Sequence, residues 1–272
     1  MTLHRRAFLR MASLGSTIGC ACCLSAFRAI AAETAHAATA PAHPPHWSYE
    51  GTTGPAHWGE LSPDFKVCQL GMEQTPIDLS GSLKGELAGR LDINYKPLPL
   101  RIVNNGHTIQ VNAEPGSTCA IGNTRYELLQ FHFHHPSEHL LSGKPFDLEG
   151  HFVHRAGTGD FAVLGVFIKP GARNAALQPI WDAMPQTEAP ERNAGGSFDA
   201  SALLPKESGY FRYMGSLTTP PCSEGLTWTI FREPIEASPE QIRQFASLFP
   251  NNARPVQGRN RRFVIEANGS KE

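Results

Sequence analysis

Short runs of strand type recur along this chain, and Gly, Pro, Asn or Asp separates each from the next. They cover residues 100–103, 108–111, 127–134, 150–154, 162–168 and 226–231. A period of two places side chains on alternate faces, so apolar residues in such runs reach a core only within a sheet. Helical periodicity is confined to residues 175–183 and 239–247. The second stretch is opened by Ser238 as N-cap, with Pro239 in the first turn and Glu240 and Gln241 behind it. These patterns predict a mainly β (α+β) fold: a single domain on a large, mostly antiparallel central β-sheet with short peripheral helices. No second linker, internal repeat or heptad pattern interrupts residues 46–268, and 269–272 read as a tail.

The first 37 residues read as an export signal. Arg5, Arg6 and Arg10 precede an uncharged stretch from Met11 to Phe27 and then small residues, and the paired arginines before Phe8-Leu9 resemble a twin-arginine signal. A membrane anchor or a lipoprotein cut before Cys20 are the alternatives. Residues 38–45 are Ala, Thr, Pro and His, a linker composition. The expected location is therefore periplasmic or secreted. The net charge is −1, with no Lys/Arg run beyond the N-terminus, so no basic footprint for nucleic acid exists. Cys20, Cys22 and Cys23 fall in the signal. Cys68, Cys119 and Cys222 remain, enough for one bridge and one thiol, and none forms a Cys-x-x-Cys zinc pair.

The chemistry concentrates in Gln130-Phe131-His132-Phe133-His134. Strand alternation puts Gln130, His132 and His134 on one face, and a second run puts Glu149, His151 and Val153 together. If the two strands are neighbours, three imidazoles converge, as a catalytic zinc with an open fourth position requires. A lone His-x-His is ordinarily a pair of hydrogen-bonded sheet residues. Here Gln130 and Glu149 stand two residues from the candidate ligands, where an acceptor fixes imidazole tautomers.

Those residues, with Ser137-Glu138-His139, Asn105-Gly106-His107 and Ser216-Leu217-Thr218-Thr219-Pro220-Pro221, resemble α-class carbonic anhydrases in content and chain order, most closely the exported bacterial branch. The resemblance spans residues 46–266 and includes His46-Trp47-Ser48-Tyr49, Thr227-Trp228 and Asn252-Ala253-Arg254-Pro255. It implies one zinc per chain on His132, His134 and His151, with Asn260 joining Gln130 and Glu149 as polar partners behind them. It implies reversible hydration of carbon dioxide to bicarbonate by zinc-bound hydroxide, with minor esterase activity. Thr218 resembles the gatekeeper that takes the hydroxide's proton as an acceptor and donates its own to Glu138. Val153, Val163, Leu217, Thr219, Leu226 and Trp228 match the substrate pocket, and Cys68–Cys222 matches a disulfide that leaves Cys119 free.

His107 resembles the proton shuttle, and Tyr49, Asn105 and Gln110 match positions that order water toward it. A diffusion limit of about 10^10 M⁻¹s⁻¹ and an acid of pKa about 7 cap unassisted proton release on the order of 10^3 s⁻¹. The turnover established for the class is about 10^6 s⁻¹, so a group titrating near neutrality must assist. Anions and sulfonamides are the expected inhibitors, and a homodimer is the expected assembly if there is one. The chain departs from animal members at Gln110, at Leu226 and at His135-Pro136, which shortens the step from His134 to Glu138. A binding module on this fold would lack ligand histidines, and another zinc hydrolase would need His-Glu-x-x-His, which is absent.

Overall fold

In the computed structural model, residues 45–86, 90–206 and 209–268 are described. The signal (1–37), all of the linker but Pro45, and the tail 269–272 lie outside them. Thirteen strands among the described residues form one mixed sheet. They are β1 (Leu83–Lys84), β2 (Leu91–Asn94), β3 (Arg101–Asn104), β4 (Ile109–Asn112), β5 (Thr118–Ile121), β6 (Thr124–His134), β7 (Leu148–Ala156), β8 (Phe161–Pro170), β9 (Ala189–Asn193), β10 (Tyr210–Ser216), β11 (Glu224–Phe231), β12 (Ile235–Ala237) and β13 (Ile265–Ala267). The main order is β1-β13-β10-β11-β8-β7-β6-β4-β3-β9. Most pairs are antiparallel, while β1–β13, β8–β11 and β8–β12 are parallel.

Alternation sorts the two faces of the central strands. From β7 and β8, Leu148, Phe152, Leu164, Val166 and Ile168 enter one core, and Val153, Val163 and Phe167 enter the other. β6 obeys this only because it carries a bulge between Leu128 and Gln130, where the register against β7 shifts. Leu128 would otherwise share the face of His132 and His134. The bulge leaves Leu129 exposed and sends Leu128 into the first core with Phe131 and Phe133.

Among the described residues, four short α-helices flank the sheet: α1 (Trp58–Leu61), α2 (Val67–Leu70), α3 (Gln178–Ala183) and α4 (Pro239–Ala246). The N-cap reading of α4 is correct, and Ser238 and Gln241 form a reciprocal capping box, a device worth about 1 kcal/mol. α3 is shorter than its periodicity predicts. Asn174 Oδ1 accepts from the Ala176 and Leu177 amides and holds the first residues in a turn. Trp181 and Phe245 from these helices pack on Phe133 at ring distances of 4.9 and 6.1 Å. Burying each such ring stabilises the fold by roughly 2–3 kcal/mol, so the back of the histidine strand is anchored in the core. Strand β10 escapes a pattern reading because Arg212 interrupts its apolar alternation, yet Arg212 is buried.

Candidate metal centre

The register of β6 against β7 pairs Gln130 with Val153, His132 with His151 and His134 with Glu149. Three imidazoles from neighbouring strands therefore share one face, and one nitrogen from each lies within 4.8 Å of the others. The remaining nitrogens are all engaged. His132 Nδ1 donates to Gln130 Oε1 at 2.8 Å, His134 Nδ1 to the Asn252 carbonyl at 2.7 Å, and His151 Nε2 to Glu149 Oε1 at 2.9 Å. These bonds select tautomers whose lone pairs, on His132 Nε2, His134 Nε2 and His151 Nδ1, face the shared space.

His134 Nε2 and Glu138 Oε2 are buried without a hydrogen-bond partner. Buried polar atoms are rarely left so, and neutral nitrogens aimed at one point with no donor between them fit a cation. Burial, with the neighbouring imidazoles, holds His132 well below the ordinary histidine range. His134 is lowered as well, chiefly by burial against the opposing pull of Glu138. Both are thus kept in the neutral form that ligands a metal.

Glu149 organises the rear of the site. Its Oε2 accepts from the Glu138 and His139 backbone amides, both at 2.9 Å, and Oε1 also accepts from His139 Nδ1 at 2.7 Å. Burial pushes the Glu149 carboxyl up, but His139 and His151 outweigh it and hold the group well below the carboxylate range. The grouping of His139, Glu149 and His151 is a hydrogen-bonded network, since one carboxylate oxygen already binds both rings. Gly165 faces His151 across β7 and β8. A side chain there would meet Ile230 Cδ1 at 2.5 Å and the Glu149 carboxylate at 3.2 Å.

Glu138 Oε1 accepts from the Arg254 amide at 2.8 Å, while Oε2 lies 3.5 Å from His134 Nε2 and 3.8 Å from His151 Nδ1. The expected hydrogen bond from Thr218 to Glu138 is not made, and that oxygen has no donor. Thr218 is buried in the turn between β10 and β11. Leu217 N to Ser223 O, Cys222 N to Thr219 O and the Cys68–Cys222 disulfide close that turn. Val153, Val163, Leu226 and Trp228 form one buried cluster with Leu217 at its edge, and the Trp228 ring lies T-shaped to His151 with centroids 4.9 Å apart. Thr219 is half-buried beside them in sequence.

Asn260 requires correction. It is exposed, with a left-handed backbone, and its amide donates to the Met72 carbonyl. The partner behind His134 is Asn252. Its side chain also accepts from the His135 amide and donates to the His107 and Phe133 carbonyls. Arg254, also missed, is buried and donates to the Thr75 and Cys68 carbonyls. Asn252 and Arg254 fall in a motif visible in the sequence, but only chain folding brings that motif to the histidines.

His107 is half-buried in the turn between β3 and β4, its ring stacked on Trp47 with centroids 3.7 Å apart and 8° between the planes, and the Tyr49 ring lies T-shaped to it at a centroid distance of 6.5 Å. Asn105 Oδ1 accepts from the His107 and Thr108 amides, so Asn105 shapes this turn. Gln110 is paired with His132 across β4 and β6 and donates its amide to Asn112 Oδ1 at 2.6 Å.

The sheet and its three convergent imidazoles define, as a class, a protein with a histidine site that could hold a metal beside an apolar pocket. Residues 53–268 match the family model described as eukaryotic-type carbonic anhydrase. A carbonic anhydrase of Nostoc sp. (strain PCC 7120 / SAG 25.82 / UTEX 2576) is 47% identical over 271 residues, 98% of each chain. One from Pectobacterium carotovorum is 43% identical over 221 residues, 81% of this chain and 90% of that one. Among solved structures, the α-carbonic anhydrase of Thermovibrio ammonificans, in complex with the inhibitor sulfanilamide, superposes with a TM-score of 0.79. Its identity is 43%, covering 81% of this chain and 99% of that one. The chain belongs to the eukaryotic-type (α) carbonic anhydrase family, and it is an enzyme of that family, whose reaction is the hydration of carbon dioxide.

Proposed function

We propose that the enzyme holds one zinc ion on His132 Nε2, His134 Nε2 and His151 Nδ1 and interconverts carbon dioxide and bicarbonate there, with His107 carrying the proton out. The observation that carries this reading is the pinning of all three imidazoles by acceptors on their far sides. Zinc in such a site supplies a Lewis acid that brings the pKa of water to about 7, the value established for carbonic anhydrases as a class.

The chain's own residues do the rest. Glu138, anchored through Arg254, keeps an oxygen free of donors, an acceptor for the Thr218 hydroxyl while the Thr218 oxygen itself accepts a hydrogen bond from the nucleophile. Val153, Val163, Leu226 and Trp228 offer an apolar wall to an uncharged substrate and exclude water. His107, half-buried in the turn before β4, is the group that takes the proton on its way to solvent. The same site hydrolyses activated esters slowly, and it binds sulfonamides, as the Thermovibrio ammonificans enzyme binds sulfanilamide.

Export to the periplasm or beyond is also proposed. The support is the paired arginines before an uncharged stretch, together with the Cys68–Cys222 disulfide, which persists in oxidising compartments. Metal analysis with stopped-flow hydration on the domain from residue 46 tests the enzyme proposal. One zinc per chain and activity abolished by chelation are expected. Activity that survives complete metal removal would overturn it.

A further inference from the structure

The turn that carries Thr218 closes between Ser216 and Glu224, which face each other across β10 and β11. One segment, Glu73-Gln74-Thr75, lies against both ends of it. At the entrance Thr75 and Ser216 exchange two hydrogen bonds, each backbone amide donating to the other's hydroxyl oxygen at 2.9 Å. At the exit a single carboxylate oxygen, Glu224 Oε1, accepts from the Glu73 amide at 2.6 Å and from Gln74 Nε2 at 2.9 Å. Gln74 Nε2 also donates to the Cys222 carbonyl at 3.1 Å. The Cys68–Cys222 bridge thus shares the work of tying the turn to this part of the chain.

Gly71 shows how closely the carboxylate is seated. Its φ of −64° is open to any residue, so backbone conformation does not call for glycine there. A side chain would instead overlap Glu224 Oε1, Gln74 Nε2 and the Val67 carbonyl. The glycine leaves room for the clasp, and hydrogen bonds to a carboxylate are roughly twice as strong as neutral ones.

We propose that Glu224 is a positioning residue for Thr218, its carboxylate clasping Glu73 and Gln74 so that the turn keeps its place when the disulfide is open. This rests on the role proposed above for Thr218. Bridge and clasp hold the same turn, so each covers for the loss of the other. Thr218 then stays aligned in a reducing compartment, where the bridge does not form.

The test measures kcat/KM in strong buffer for the zinc-loaded parent, Glu224→Ala, Glu224→Gln and Thr218→Ala, each bridged and then reduced in place. Tryptophan fluorescence and zinc content are followed alongside. The same comparison in Cys68→Ala/Cys222→Ala chains covers a bridge that resists reductant. Losing either tie alone is expected to lower kcat/KM about threefold. Losing both should lower it about 30-fold, more than the roughly ninefold product, toward the roughly 10²-fold that misplacing a group by about 1 Å costs. Glu224→Gln keeps an acceptor oxygen and should stay within about twofold of the parent in both states.

Equal fractional losses on reduction with and without Glu224 would refute the clasp. So would a loss that coincides with unfolding or zinc release, a Glu224→Gln enzyme as slow as Glu224→Ala, or a Glu224→Ala chain that cannot fold with its bridge intact. If Thr218→Ala is slow and reduced Glu224→Ala is no slower than the reduced parent, the clasp alone falls. If Thr218→Ala matches the parent, the reading of Thr218 fails and this one with it.

Discussion

His132 and His151 face each other directly across β6 and β7, their ring centroids 5.3 Å apart and nearly perpendicular. Each is held from behind by a residue two positions earlier on its own strand, Gln130 or Glu149. Strand geometry thus supplies both the ligand and its support.

Glu149→Ala is expected to weaken zinc binding 10- to 100-fold, because it frees His151 and releases the Glu138 and His139 amides at once. Competition with a chromophoric chelator measures this. Glu149→Gln keeps a side-chain acceptor and should lose less.

Asn252→Ala removes three side-chain hydrogen bonds that tie the His107 and His135 segments to β6. At about 1 kcal/mol each, the expected loss of stability is about 3 kcal/mol in denaturant unfolding. Asn260→Ala, removing one exposed contact, should shift the midpoint by a small fraction of that.

Reducing Cys68–Cys222 should destabilise the domain by about 5 kcal/mol at most, since the bond closes a loop spanning 154 positions. Loosening of the Thr218 turn should lower kcat before global unfolding, so activity and tryptophan fluorescence should separate on titration with reductant.

His154 lies on the face of β7 opposite the metal ligands, hydrogen-bonded to the Tyr95 hydroxyl at 2.7 Å, and burial lowers its pKa to about 4. Above pH 6.5 it is neutral in both folded and unfolded chains and has no effect on the pH profile. Between about 6.5 and 4 the unfolded chain binds a proton that the folded chain refuses, so stability falls by up to about 3 kcal/mol. Denaturant midpoints measured across this window should decline less steeply in His154→Gln than in the parent.

Cys119 is buried and its thiol is pushed up to about 12 by burial, against a weaker opposing pull from Arg212. It should resist thiol reagents in the native protein and react fully after unfolding. Rapid native labelling would contradict its place in the core.

Period-two alternation was enough to put His132 and His134 on one face and to name Gln130 behind His132 and Glu149 behind His151. Local chemistry was likewise enough for the Ser238 cap, because a capping box lies within four residues. The bulge at Leu129, the lone pair that each histidine presents, and the shift from Asn260 to Asn252 were not legible. The Asn252 carbonyl reaches His134 from 118 positions away, and Arg254 joins Glu138, Thr75 and Cys68 from three separate segments. The sequence by itself determined which side chains share a strand face, since alternation is a property of the local backbone. Only the tertiary structure decided which distant carbonyl, amide or carboxylate meets each of them, because sheet register and loop closure are set by packing over the whole core.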